Sequence, residues 1–240
     1  MSASVALEGG RPPLSARAAR SIRHPLTRTL LVLTFTTGVV DAVSYLGLGH
    51  VFTANMTGNI VFLGFGIAGS GGLPVVAPLV SLGAFLLGAG AGGVLAARLA
   101  RHHPRHLASA LAIEVSLICV AILVAAIVDV HPAGVSADVM IAVLALAMGV
   151  RNATVRRIAV PDMTTTVLTM TLTGLAADSP LFGGSGSGTT RRTASVLAML
   201  AGALAGALLL DRSLILPLAT AVALTAAALL LYLPAARRGD

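Results

Sequence analysis

The chain has 240 residues, 56% of them hydrophobic and only 10% charged; a soluble domain carries about 25% charged residues, so an ordinary water-soluble core is excluded and a polytopic membrane protein is indicated. The net charge is +7 and all 16 basic residues are arginine, but they stand in short runs between apolar segments, so topology explains them and nucleic-acid binding does not. Cys119 is the single cysteine, which excludes an intrachain disulfide or a cysteine-built metal site.

Residues 1–28 are polar and carry Arg11, Arg17, Arg20, Arg23 and Arg28; they read as a basic cytoplasmic tail. The rival reading is a signal peptide with 30–40 as its apolar region. No convincing cleavage site follows, so an uncleaved first span over 29–48 is the better reading. On it Thr34, Thr37, Gly38, Asp41, Ser44 and Tyr45 recur at spacings of three and four, which predicts one small and polar stripe on a helix face. Then comes GHVFTANMTGN, in which Gly49, Asn55, Gly58 and Asn59 interrupt the helix, and a short apolar piece over 60–68.

Span two is predicted over 74–97, with Gly88 and Gly92 as a GxxxG pair that allows close helix approach. Arg98, Arg101 and Arg105 follow, interleaved with His102, His103 and His106. These histidines resemble a metal cluster only superficially. Pro104 breaks their helical phase and no acid is nearby, so a solvated basic loop is expected and no metal. Span three covers 107–128 and contains Glu114, about two turns past the arginines and within reach of a polar interface.

Span four is predicted over 139–156, where Ala145, Gly149, Asn152 and Arg156 form a second small and polar face. A Thr-rich stretch over 161–178 follows, then a Gly/Ser linker over 183–188 and the pair Arg191 and Arg192. The linker holds a GxSG match to intramembrane serine proteases, but it is low-complexity and lacks a matching histidine, so it is read as chance. Spans five and six cover 193–210 and 214–233; the former carries Gly202 and Gly206, a second GxxxG pair.

The two halves align. Gly38, Asp41 and Ala42 fall on Gly149, Asn152 and Ala153 at an offset of 111 (149 − 38). With one residue of slip, Thr53, Thr57, Asn59 and Leu63 fall on Thr165, Thr169, Thr171 and Leu175, and the GxxxG pairs coincide at 114 (202 − 88). The consistent order indicates a duplication.

Counting arginines then decides the number of spans. If both motif segments enter and return, six spans place 15 arginines inside and only Arg212 outside; if both cross, eight spans leave seven outside and nine inside. The positive-inside rule favours six. Three spans per half is odd, so the halves are inverted: a single membrane domain over 29–235, with repeat halves 29–130 and 137–235, in an all-α bundle with two short broken or re-entrant helices. Both termini are expected in the cytoplasm.

GxxDAxxYLxLGxVFxANMTGN, followed by GxRNA and the Thr-rich TTTVLT segment, resembles the YoaK-like family of bacterial membrane proteins of unknown function. The resemblance covers roughly residues 28–235. It implies a bacterial inner-membrane protein and no established substrate, enzyme activity or cofactor.

Inverted repeats with interrupted helices commonly surround a substrate or ion site. The leading expectation is therefore a transporter or channel for a small solute or ion, not an enzyme. Its candidate site residues are Asp41, Tyr45, Asn55, Thr57, Asn59, Asn152, Thr165, Thr169 and Thr171. Asp41 is costly at bilayer depth and reads as a coupling or substrate-contacting carboxylate; the plainer reading is a buried structural group, with Arg151 as its first partner. Asn55, Thr57 and Asn59 line a site or cap a helix. Tyr45 shares the Asp41 stripe or anchors at the interface. The alternative function is a non-catalytic assembly or sensor protein whose polar core is structural. The expected partners are the lipid bilayer, an unidentified solute or ion, and a second copy through the GxxxG faces if these do not pack within the bundle.

Overall fold

A computed structural model describes residues 24–99, 103–158 and 168–237, without the side chains of 103, 104 and 234–237. The basic tail up to residue 23 and Thr165 lie outside the described residues. Those described are helical with connecting turns, and six of their helices are long and apolar enough to cross a membrane.

Helix α1 runs Pro25–Val43. His24 caps it, accepting a hydrogen bond from Leu26 N–H, and Pro25 occupies the first turn, where its missing N–H costs nothing. The helix widens into a π-helical turn, Ser44–Gly49, which His50 closes in the left-handed conformation at φ 56°. A non-helical stretch then leads to α2 (Met56–Ile67). Helix α3 spans Val76–Arg98, α4 His103–Ile127 and α5 Val135–Ile158. The short α6 is Leu168–Ala177, α7 Thr189–Leu210 and α8 Ile215–Arg237.

Two contacts fix the course of the first motif. The Leu48 carbonyl accepts from Ala133 N–H at 2.9 Å, in the turn between α4 and α5. Gly49 lies against Ala77 at the start of α3, 3.7 Å from where its Cβ would be. The end of α1, the start of α3 and the α4–α5 turn therefore share one end of the bundle. Residues 50–75 leave from and return to that end, and α2 does not traverse. Its 12 residues span only about 18 Å, against a hydrocarbon core of about 30 Å.

Helices α3 and α5 pack most closely, followed by α1 and α7. Both crossings are made by the glycine pairs, which pack within the bundle. A Cβ on Gly88 or Gly92 would strike the α5 backbone at Leu146 and Val150, and one on Gly202 or Gly206 would strike the α1 backbone at Phe35 and Val39. Phe35 to Leu146 and Val39 to Val150 are each an offset of 111, matching the offset of 114 between the glycine pairs. The reciprocal contacts obey the same rule: Gly38 meets Met199, Gly202 and Ala203, and Gly149 meets Phe85, Gly88 and Ala89. Rising residue numbers on both partners make each crossing parallel.

Helices α4 and α8 pack on one another and on α5 and α1 respectively. The core divides into a cluster around Val43, Leu48, Ala77, Met140 and Ile141 at the α1 C-terminal end and one around Leu26, Leu30, Leu107 and Val155 at the other. Leu86, Leu87, Leu200, Leu204 and Leu231 face outward, as lipid contact requires.

The span boundaries differ from the expected ones by a few residues at helix starts. Pro104 lies in the first turn of α4 and begins the helix instead of breaking it. His106 is consequently buried, 3.4 Å from Thr154 Oγ1, and does not belong to a solvated loop. Arg191 and Arg192 are the third and fourth residues of α7 and are largely buried; Arg192 pairs with Asp178 at 2.6 Å and donates to the Gly174 carbonyl at 2.7 Å.

Candidate functional site

The re-entrant segment is held by three polar side chains. Asp41 lies 16 residues into α1 (41 − 25), about 24 Å of rise from its start. Its Oδ1 accepts from the backbone N–H of Thr53 and of Ala54, both at 2.9 Å, and from Thr53 Oγ1 at 3.4 Å. Its Oδ2 accepts a short hydrogen bond from Asn55 Nδ2. These backbone donors precede α2, where no helical carbonyl is available to them. One carboxylate thus satisfies the turn that starts the helix, and Asn55, although at the N-cap position, makes no capping bond of its own.

Asn59, fully buried, pairs with the backbone of Phe52: its Oδ1 accepts from Phe52 N–H at 2.8 Å and its Nδ2 donates to Phe52 C=O at 2.6 Å. Ser81 on α3 donates to the same carbonyl at 2.7 Å. Non-helical backbone inside a bundle needs internal partners for its N–H and C=O groups, and Asp41, Asn59 and Ser81 supply them. Tyr45 joins an aromatic group instead of the carboxylate, stacked on Phe52 at 5.1 Å and edge-on to His50 at 5.4 Å.

The structure brings Asp41, Asn55 and Asn59 together around the 50–55 segment and separates the others from it. Thr57 and Thr169 are exposed on α2 and α6. Asn152, at the position equivalent to Asp41, donates to the Met148 carbonyl at 2.8 Å. Thr171, equivalent to Asn59, is buried, as is Ser195, which stands at the Ser81 position by the 114 offset (195 − 81).

A second polar locus was not anticipated. Arg151 is not the partner of Asp41; it is buried on α5 and forms an ion pair with Glu114 on α4, Nη1 to Oε1, at 3.3 Å. Arg151 Nη1 also donates to Leu33 C=O at 2.9 Å and Thr36 Oγ1 at 2.8 Å on α1, and Nη2 to Met148 Sδ at 2.6 Å. Thr225 on α8 donates to Glu114 Oε1 at 3.4 Å. Glu114 does not reach a polar interface, because its face of α4 is covered by α5 and α8 and it is 0% exposed. Arg151 accordingly leaves the set of loop arginines that sequence counting used. Glu114 Oε2 and Arg151 Nε have no hydrogen-bond partner among the described residues. The sequence signal for this pair was present, since two opposite charges in apolar runs need each other, but Asp41 competed for the same arginine. Among the described residues no group of three or more His, Cys, Asp or Glu side chains is placed to hold a metal.

Comparison with known proteins places the chain among membrane proteins without an assigned function. Residues 29–232 match the family described as "Protein of unknown function (DUF1275)", and the chain belongs to that family. Over 150 residues it is 34% identical to the UPF0700 transmembrane protein YoaK of Bacillus subtilis, an overlap of 62% of this chain. The chain spans 65% of the length of that relative. No solved structure matches the chain.

Proposed function

We propose that this member of the DUF1275 family is a non-enzymatic transporter or channel for a small solute or ion in a bacterial inner membrane. Its halves form an inverted repeat, and re-entrant segments from opposite faces bound a polar site near the bilayer midplane. Both termini lie in the cytoplasm. The observation that carries the reading is the segment 50–55, non-helical backbone that runs back to the depth of Asp41 and is pinned there by the carboxylate. Such backbone occurs at membrane depth where it is buried in protein or lines a pathway, and interrupted helices of inverted repeats commonly flank the transported species. The symmetric glycine crossings and the opposite direction of α1 and α5 support the inversion.

Solute uptake and counterflow into proteoliposomes, screened over ions and small metabolites, tests the activity. Transport with Asp41→Asn impaired is expected; no solute moving above empty liposomes across the screen would oppose it. Cysteine labelling tests the topology: position 71 is expected to react only from the periplasm and position 157 only from the cytoplasm. Reaction of both from one face would remove the six-span arrangement.

One observation favours a second reading, a non-catalytic assembly or sensor protein with a structural polar core. Asp41 and Asn59 spend their hydrogen bonds on the chain's own backbone. A water-inaccessible Asp41 in chemical-modification experiments, with no transport, would select it.

A further inference from the structure

The Glu114–Arg151 pair is built unlike a static ion pair. A buried pair repays its desolvation only with close geometry and with hydrogen bonds to its remaining atoms. Here the contact uses one nitrogen and one oxygen at 3.3 Å, not the two parallel bonds of the bidentate arginine–carboxylate arrangement. Glu114 accepts one further, long hydroxyl bond from Thr225 at 3.4 Å, and its Oε2 is unpartnered among the described residues while fully buried. Arg151, by contrast, keeps three other acceptors: Leu33 C=O, Thr36 Oγ1 and Met148 Sδ. The arginine is anchored to α1 and α5 without the glutamate; the glutamate on α4 is held by little besides the arginine.

We propose that Glu114 is a proton-binding site, and that a proton taken onto its free Oε2 cancels the charge that ties α4 to Arg151. The atoms balance simply: one O–H bond forms at Oε2 as one O–H bond breaks in a hydronium ion, which leaves as water, and the carboxylate becomes a carboxylic acid. The neutral acid keeps the Thr225 contact and gains a donor. Arg151 keeps its α1 and α5 acceptors and loses its paired carboxylate. The locus joins α1, α4, α5 and α8, which belong to both sequence halves, so the proton acts where the halves meet. Lowering the pH therefore loosens α4 from α5, and raising it restores the pair. A metal cation does not suit the site, because Arg151 already supplies a positive charge beside the Glu114 carboxylate. The other titratable or charged groups on the packed helices are Arg28 and Asp41 on α1, His103, Arg105, His106 and Cys119 on α4, Asp138, Arg156 and Arg157 on α5, and Tyr232 and Arg237 on α8. Among these Asp41 is occupied by the 53–55 turn, His106 faces Thr154, Arg28, Arg105, Cys119, Arg156 and Arg157 are exposed, and Asp138 lies in the first turn of α5. The proposal names the coupling ion of the transport reading and rests on it in that respect; proton binding itself is measurable without any solute.

The test is infrared difference spectroscopy of the full chain in lipid nanodiscs during an acid-to-alkaline titration. Wild type is expected to show a protonated-carboxyl band from a buried group that disappears on alkalinisation, with the band lost in Glu114→Gln and retained in Asp41→Asn. The double variant Glu114→Gln with Arg151→Gln, which leaves no lone buried charge, provides the same loss should the single variant fail to fold. A wild-type spectrum without a titrating buried carboxyl overturns the proposal, as does a band that persists without Glu114 or vanishes with Asp41. Transport without the band refutes proton binding alone; the band without transport refutes the transport reading alone.

Discussion

Asp41 and Glu114 are both carboxylates inside a helix bundle, and they are held in opposite ways. Asp41 receives two backbone N–H groups, a hydroxyl and a side-chain amide from three consecutive residues, Thr53, Ala54 and Asn55. Glu114 receives one long hydroxyl bond and one ion contact from two different helices. A carboxylate with its lone pairs filled by local backbone positions a loop, and its removal loosens that loop. A carboxylate with a free oxygen, joining separate helices, is sensitive to a proton and to helix movement. The difference separates a turn fixed by the backbone from a junction of helices that rests on one ion contact and one long hydrogen bond.

Both loci depend on the same frame, so the largest effect comes from breaking it. Gly88→Leu or Gly202→Leu places side-chain atoms where the Leu146 or Phe35 backbone already lies, and folded protein recovered by size exclusion from detergent is expected to be lost. Wild-type yield from both variants would dissolve the common frame. Arg151→Met comes next: it strands Glu114 in the core, at a cost of about 3–5 kcal/mol. Arg151→Met with Glu114→Leu is expected to recover most of the lost thermal stability; equal losses in the single and double variants would mean the charges are not coupled.

Asp41→Asn sharpens the contrast. It keeps one acceptor for the Thr53 and Ala54 amides and sets two amide nitrogens against each other at Asn55, a cost of about 1–3 kcal/mol. Hydrogen exchange at the Thr53 and Ala54 amides is expected to accelerate in Asp41→Asn and to stay unchanged in Glu114→Gln. Acceleration in both variants would make the two loci one network. Thr57→Ala, on an exposed face of α2, is expected to change stability by less than about 0.5 kcal/mol; a larger loss would place Thr57 in the polar site after all.

The bundle was legible in the chain because its signals are local. Apolar runs of spanning length, arginines between them and glycines four apart are properties of neighbouring residues, and each has one dominant physical use in a bilayer. The matched order of the two halves was legible for the same reason, as residues recurring at a constant offset, and the two glycine crossings follow the same offsets. The partners of the charges were not. Arg151 lies 37 residues from Glu114 and 110 from Asp41 (151 − 114 and 151 − 41), and an unpaired charge is drawn to any opposite one within reach. The choice between them was made by the parallel crossing of α3 on α5 and by the packing of α4 on α5 and α8, which set Arg151 beside Glu114. It was made also by the 53–55 turn, which filled Asp41 with backbone donors. Periodicity says which face of a helix is polar; only the packed structure says what that face meets.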